Sequence, residues 1–220
     1  MDFMNRLLSL FKETYHGKTI ARTLFNWEIG KSVKNINGIV VDLGGGFKPS
    51  YERFWQIKPE KLIRVDINKS VHPDILTDLN GSFPFADNFA DTIFLFSVIY
   101  ILKDPGKTLL EIHRILKPGG RLFLTSPFIF NEAKEPSDYW RFTSEGLEKL
   151  LKEAGFGSIL IVPIGERFSA AAYLMTPFLI FWPVKFVFYV FAVGLDKIIP
   201  KKLQLKQPCP IGYFVEAIKS

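Results

Sequence analysis

Cysteine is nearly missing from this chain: Cys209 stands alone among 220 residues. An internal disulfide is thereby excluded, and so is a zinc cluster of the CxxC type. A lone thiol fits a reducing, cytoplasmic setting, and no metal site is expected. The N-terminus also lacks the parts of a secretory leader. "MDFMNRLLSLFKETYH" has Asp2 at its front, no basic opening region, and no unbroken apolar stretch before a small-residue cleavage site. Internal repeats and low-complexity tracts are absent. Basic residues give a formal charge of +6 but are mostly dispersed, so a nucleic-acid partner is not expected. The exception is "DKIIPKKLQLK", where Lys197, Lys201, Lys202 and Lys206 follow the most apolar segment of the protein. That neighbourhood points to an anionic membrane surface.

What is abundant is apolar side chain, 48% of residues with 22 phenylalanines, and the excess lies late in the chain. Phe3, Leu7, Phe11 and Tyr15 recur at helical spacing with Met4 and Leu8 beside them, predicting an amphipathic helix over 2–15. From Gly38 onward, "GIVVDL", "KLIRVD", "DILTD", "DTIFLFSV" and "GRLFLTSPF" read as buried strands. Between the last two, "DPGKTLLEIHRILKPGG" is a helix opening at Asp104 and Pro105 and stopping at Pro118 and the Gly119-Gly120 pair. "TSEGLEKLLKEAGF" is another, capped by Thr143 and ended by Gly155. "GSILIVPIG" and "IGYFVEAIK" close the series as strands.

Strands alternating with helices imply an α/β fold. The expectation is a Rossmann-like, doubly wound, three-layer sheet of seven mostly parallel strands, the last antiparallel, with an apolar helical insertion before it. Residues 1–37 then form an N-terminal helical segment, 38–165 with 211–220 the ligand-binding domain, and 166–210 the insertion.

In "VVDLGGGFKPS", Asp42 precedes Gly44, Gly45 and Gly46 at the end of the first strand. Such turns commonly cradle phosphate, beside which a fixed negative charge is repulsive. A dinucleotide fingerprint would need a further glycine where this chain has Pro49. Asp66 ends the second strand twenty residues after Gly46, the distance for a carboxylate that takes ribose hydroxyls. Asp78 ends "DILTD", where an adenine edge would lie. A cationic nucleoside without phosphate satisfies all three acids, and S-adenosylmethionine is such a molecule.

"VVDLGGG", "RVDINKS", "TDLNGSFPFADNFADTIFLFSVIYILKDP", "LLEIHRILKPGGRLFLTSPF" and "DYWRFTSEGLEKLLKEAGF" together resemble the class I S-adenosylmethionine-dependent methyltransferases, in particular the methyltransferase type 11 group. The resemblance runs from about Gly38 to Phe156. It implies that Asp42, Gly44, Gly45 and Gly46 form the methionine-end loop and that Asp66 meets the ribose, with Ile67 among the cofactor-binding residues. It also implies that Asp78 with Leu79 meets the adenine, and that Ser97 belongs to the floor beneath the sulfonium. The implied reaction is methyl transfer leaving S-adenosylhomocysteine. Relatives commonly end the fourth strand with an acid and a histidine, where this chain has Tyr100 and Ile101. No Asn-Pro-Pro-aromatic run is present, which speaks against amino-group methylation of DNA bases.

If a base is needed, the loop "SPFIFNEAKEPSDYWRFT" supplies the candidates Asp138 and Tyr139, with Arg141. Asp138 and Arg141 can equally pair with each other or cap the helix that starts near Thr143. His113 reads as a surface residue, and His72 as a solvated loop residue.

Residues 170–195, "AAAYLMTPFLIFWPVKFVFYVFAVGL", lie between neighbouring strands of one sheet, so a single membrane crossing is excluded. Lys185 near the middle would cost about 3 kcal/mol at a bilayer centre. A helical pair bent at Pro183 can lie in a membrane interface, or the same residues can form a lid or a homodimer surface; the first is favoured. The expected function is methyl transfer to a small-molecule or lipid-linked acceptor, sugar-containing acceptors included, at the inner membrane face. The alternative is a membrane-associated scaffold or regulator that binds the cofactor without turnover.

Overall fold

A computed structural model describes residues 3–55, 58–133 and 137–220. Asp2, and residues 134–136 in the loop that carries Asp138, lie outside them. The strands are β1 (Ile39–Leu43), β2 (Lys61–Asp66), β3 (Ile75–Leu76), β4 (Ala90–Phe96), β5 (Leu116–Pro127), β6 (Phe156–Ile164) and β7 (Gly212–Lys219). They form one sheet in the order β3-β2-β1-β4-β5-β7-β6. β1 to β5 pair in parallel, while β7 runs antiparallel to both β5 and β6. This is the expected Rossmann-like arrangement of six parallel strands and one reversed.

The β-branched run of β1 is buried on both faces because helices cover both. On one face, α3 (Pro105–Ile115) and α4 (Ser144–Glu153) pack Leu109, Ile112 and Leu147 against Val41, Leu43 and Leu122. On the other, α1 (Phe3–Tyr15) and α2 (Ile20–Ser32) contribute Leu10, Ile20, Phe25 and Ile29 to a core with Val40, Phe94, Phe123 and Phe214.

Local chemistry sets the helix ends. The Asp104 carboxylate accepts from Lys107 N at 3.1 Å, with Pro105 in the first turn, and Thr143 Oγ1 accepts from Gly146 N at 3.1 Å. α3 stops at Ile115, short of the expected Pro118, because Leu116 is already paired with Ala90 as the first residue of β5.

Between β6 and β7 lie α5 (Arg167–Leu174), α6 (Trp182–Asp196) and α7 (Lys201–Lys206). α5 and α6 are not one helix bent at Pro183. The break falls between Met175 and Phe181, and Pro183 occupies the first turn of α6, where its missing N–H is not needed. The insertion leaves and returns at one point, since Ile211 N donates to Ile164 O at 2.9 Å.

Gly212 lies where Phe25 of α2 packs on the sheet. A Cβ there would lie 2.4 Å from Ser126 O and 2.5 Å from Phe25 Cζ. Gly212→Ala is therefore expected to lower stability by about 1–3 kcal/mol, read as a shift in the urea midpoint. An unchanged midpoint would contradict this packing.

Candidate functional site

The carboxyl ends of β1, β2, β3 and β4 meet at one edge, where a parallel sheet takes its ligands. Beyond β1 the chain turns through Gly44 (φ +73°) and Gly46 (φ +68°), a conformation that favours glycine. Gly44 N–H donates to Val65 O at 2.7 Å, and a Cβ on Gly44 would lie 2.6 Å from Val98 Cγ2. A Cβ on Gly46 would meet nothing within 4 Å. The turn is closed beneath and open above.

Asp66 ties this turn to the end of β2. Its Oδ2 accepts from Gly46 N at 3.1 Å and its Oδ1 from Asn68 N at 2.8 Å. Ile67 beside it is exposed. Asp78 is also exposed, beyond β3, and its Oδ1 accepts from Asn80 N at 2.9 Å and Asn80 Nδ2 at 2.8 Å. Those two bonds, the backbone one foremost, hold its carboxyl below the usual range. Leu79 is turned away: its side chain belongs to the core, and its carbonyl accepts from the Thr108 hydroxyl at 2.9 Å.

Asp42 does not share that ligand-facing edge, a correction to the reading of three acids around one cation. Strand alternation sends Val41 and Leu43 to the α3 side and Asp42 to the α2 side, wholly buried. The Tyr51 hydroxyl donates to its carboxylate, at 2.8 Å to Oδ2 and 3.0 Å to Oδ1. Burial pushes Asp42 up to about 7, against the lowering effect of that bond and of Arg64. Gly45 rests on this pair, since a Cβ there would lie 2.3 Å from Asp42 Oδ2 and 2.6 Å from the Tyr51 hydroxyl. Asp42 supports the loop from below.

Ser97, just after β4, has φ +58°, costly for a residue with a Cβ. Its N–H is held by Thr125, at 2.9 Å to Oγ1 and 3.2 Å to O. Such strain persists where surrounding structure fixes it, often at a working site. Ser97 lines a cavity of about 390 Å³ together with Lys18, Arg22, Tyr100, Phe130 and Tyr173. The Tyr173 ring stacks on Phe130 with centroids 4.5 Å apart, and burial raises the Tyr173 pKa.

The loop candidates fare differently. Arg141 clamps Asp138 with both terminal nitrogens, at 2.7 Å from Nη2 to Oδ2, and Ala133 N donates to Oδ2 at 2.8 Å. The Arg141 bonds hold the Asp138 carboxyl below its usual range. A carboxylate so engaged braces the loop and is a poor proton acceptor, which corrects its candidacy as a base. Tyr139 is exposed and is not among the described residues that line the cavity. Arg141 also covers the Tyr100 ring at 5.6 Å.

Tyr173, Lys18 and Arg22 were not legible as site residues. Tyr173 sits inside an apolar run, and the basic pair follows a helix whose packing partner is distant in sequence. His113 is half-buried against the edge of Phe156, at 5.3 Å, instead of lying free on the surface, and His72 is exposed. Among the described residues no group of three or more His, Cys, Asp or Glu side chains could hold a metal ion.

Residues 41–124 match the family model described as methyltransferase domain. That segment is similar to methyltransferase domains. Over 102 residues it is 34% identical to the ubiquinone/menaquinone biosynthesis C-methyltransferase of Vibrio cholerae serotype O1, covering 39% of each chain. Over 86 residues it is 36% identical to the tRNA U34 carboxymethyltransferase of Campylobacter curvus, covering 38% of this chain and 26% of that one. The chain thus matches well under half the length of these relatives. A crystal structure of an S-adenosylmethionine-dependent methyltransferase from Archaeoglobus fulgidus superposes with a TM-score of 0.62 at 18% identity, covering 99% of this chain and 100% of that one. The likeness of fold thus spans nearly the whole chain.

The buried carboxyl of this domain links stability to pH. Below its ordinary value of 3.8, Asp42 is protonated in both folded and unfolded chains. Between there and about 7 the unfolded chain releases the proton while the folded one keeps it, so stability falls as pH rises through that window and levels off above it. Asp42→Asn removes this slope. Relative to the natural chain it is expected to gain up to ~4 kcal/mol between pH 4 and 7.5, measured as the difference in urea midpoints. A pH-independent difference would show that Asp42 is ionised when buried.

Proposed function

We propose that the protein transfers the methyl group of S-adenosylmethionine to a small-molecule or lipid-linked acceptor by in-line displacement, releasing S-adenosylhomocysteine. The observation that carries this reading is the open backbone at Gly46, tied to the Asp66 carboxylate and continuous with the edge where Ser97 borders a cavity.

The residues fit that cofactor. Gly44, Gly45 and Gly46 allow close approach of its amino-acid end, and Asp66 keeps lone pairs for ribose hydroxyls. Exposed Ile67 can lie against the adenine ring, with Asp78 at its amino edge and the backbone of Leu79 beneath. Two carboxylates beside bare backbone suit a cationic, phosphate-free nucleoside. When bound, the cofactor supplies a methyl carbon already activated by positive sulfur. The work left to the chain is alignment and exclusion of water.

Ser97, Tyr100 and Tyr173 offer hydroxyls that would orient an acceptor, and sugar hydroxyls suit them. With its pKa raised by burial, Tyr173 stays protonated at neutral pH and acts as a donor, not a base. In this reading residues 38–165 with 211–220 carry the cofactor, while 1–37 and 166–210 wall the acceptor cavity. A lipid-linked acceptor is favoured because the cavity-lining Gly17 stands two residues after Tyr15, whose ring packs against Trp182 of α6 at 5.3 Å. That helix carries an apolar outer face, which supports a site of action at the inner surface of a membrane. The named relatives act on unlike acceptors, so none of theirs is carried over.

Calorimetry with S-adenosylmethionine tests the cofactor assignment. Asp66→Ala is expected to weaken binding about 10–100-fold, as loss of hydrogen bonds to a charged group does, while NAD is not retained by the natural chain. Retention of NAD with no affinity for S-adenosylmethionine would overturn it. Incubation with methyl-labelled cofactor and membrane extract is expected to label the lipid fraction. Binding without label transfer would leave only the scaffold reading.

A further inference from the structure

Helix α6 is built inside out for a surface helix. Val184, Val187, Phe188, Phe191 and Leu195 recur at helical spacing, and all are exposed, while the hydroxyl-bearing Tyr189 is fully buried. The segment before it is as bare: Phe178 is 75% exposed, Ile180 89% and Phe181 66%. At 150–250 Å² per aromatic side chain, Phe178, Phe181, Phe188 and Phe191 alone, with Phe188 at 40% and Phe191 at 66%, present roughly 500 Å² to the surroundings. Those four side chains alone thus reach the size of the largest patch on a typical monomer, about 300–600 Å², which is often functional.

Helix α1, far away in sequence, extends the same face. Met4, Leu8, Phe11 and Tyr15 fall within roughly 60° of one another on a helix of 3.6 residues per turn, and all four are exposed. Phe11 meets Trp182 and Phe186 edge-on at 5.5 and 5.4 Å, so the two apolar stripes are continuous. Charge around them has one sign. Arg6, Lys12, Lys185, Lys197, Lys201, Lys202 and Lys206 belong to α1, α6, α7 and their connection. The acids of these elements are turned inward. Glu13 is buried and paired with Arg53 at 3.0 Å, and Asp196 accepts from Glu166 N at 3.0 Å and Phe168 N at 2.9 Å.

We infer that α1, the 178–181 segment, α6 and α7 together form a docking face for an anionic lipid bilayer, lying flat in its interface. The charge around an apolar face selects the partner, because a second copy of this chain would bring the same lysines against themselves. Flat docking follows from length and topology. α6 has 15 residues, about 22 Å at 1.5 Å each against a hydrocarbon core of about 30 Å. Among the described residues no helix is long and apolar enough to cross, and the insertion begins and ends at the hydrogen-bonded pair Ile164 and Ile211. Tyr15 on this face stands two residues from the cavity-lining Gly17, so the acceptor cavity opens beside the lipid. The inference names the partner surface for the lipid-linked acceptor proposed above, but its test reads binding and needs no turnover.

The test is co-sedimentation of the full chain with phosphatidylcholine vesicles, with and without phosphatidylglycerol. Binding is expected only with the anionic lipid and is expected to fall at least tenfold in high salt. The triple variant F181S/F188S/F191S and, separately, K201E/K202E should each lose at least tenfold while keeping the natural far-ultraviolet dichroism and melting profile. The first changes only exposed apolar groups, and the second leaves them intact. Failure of the natural chain to bind anionic vesicles overturns the inference, as does binding that neither variant weakens. A dimer in sizing experiments that the triple variant dissociates, without vesicle binding, would assign the face to a second copy instead. None of these outcomes bears on cofactor affinity, so failure here and failure of the methyl-transfer reading are separable.

Discussion

Everything at the working edge depends on β1 being paired in parallel on both sides, with β2 and with β4. That pairing brings the Gly44–Gly46 turn, the Asp66 carboxylate and Ser97 to the same level without any side chain having to reach. It also locks strand alternation. A slip of one residue would exchange Asp42 for Val41 and bury the acid among Ile93, Leu95 and Leu122, away from the Tyr51 hydroxyl. In the register observed, Asp42 meets Tyr51, and the burial of an acid is met by a donor and a raised pKa instead of an unpaired charge.

The strands and helix caps were legible because their causes are local. A β-branched run buried on both faces, Asp104 ahead of Pro105, and Thr143 three residues before Gly146 each act within a few residues. The edge position of Asp66 and Asp78 was legible for the same reason. The orientation of Asp42 needed the alternation counted outward from Leu43, together with knowledge of which helix layer holds Tyr51. The engagement of Asp138 lay three residues away, in Arg141, but the Ala133 N–H that completes it depends on a loop conformation that no periodicity encodes.

The insertion shows most plainly what composition leaves undecided. Both the lid and the membrane reading rest on the same apolar residues, and the structure divides them between helices. α5 is rich in small residues, so Ala170 and Ala172 allow it to sit close against α2 and place Tyr173 at the cavity wall. α6 is rich in large ones, more than the sheet can cover, and the surplus faces outward. Hydropathy sums see one segment. Residue volume separates the helix packed inward from the one with an apolar outer face.

The link between them is Asp196, the last residue of α6, whose carboxylate accepts from the backbone N–H groups at the start of α5. Those N–H groups have no backbone partner in the helix; Ser169 Oγ also accepts from Glu166 N at 2.9 Å, and the Asp196 carboxylate sits at the positive end of the dipole. One side chain therefore fixes the C-terminal end of α6 to the N-terminal end of α5, while Phe11 and Trp182 fix its other end to α1. A face held at both ends is ordered before it meets a partner. Rigid apolar surface lowers the entropic cost of association, because side chains and loops are already in place. The same fixation leaves that surface uncovered in water, an arrangement that is stable only because α5 and α2 bury enough on their inner sides to hold it there. Removing the Asp196 carboxylate would take the side-chain acceptor from Phe168 N, leave the other first-turn amides to the Glu166 and Ser169 capping box, and weaken the tie between α5 and α6. The cavity beside Ser97 and the outer face would then loosen together, since Tyr173 and Trp182 stand on the two elements that this carboxylate joins.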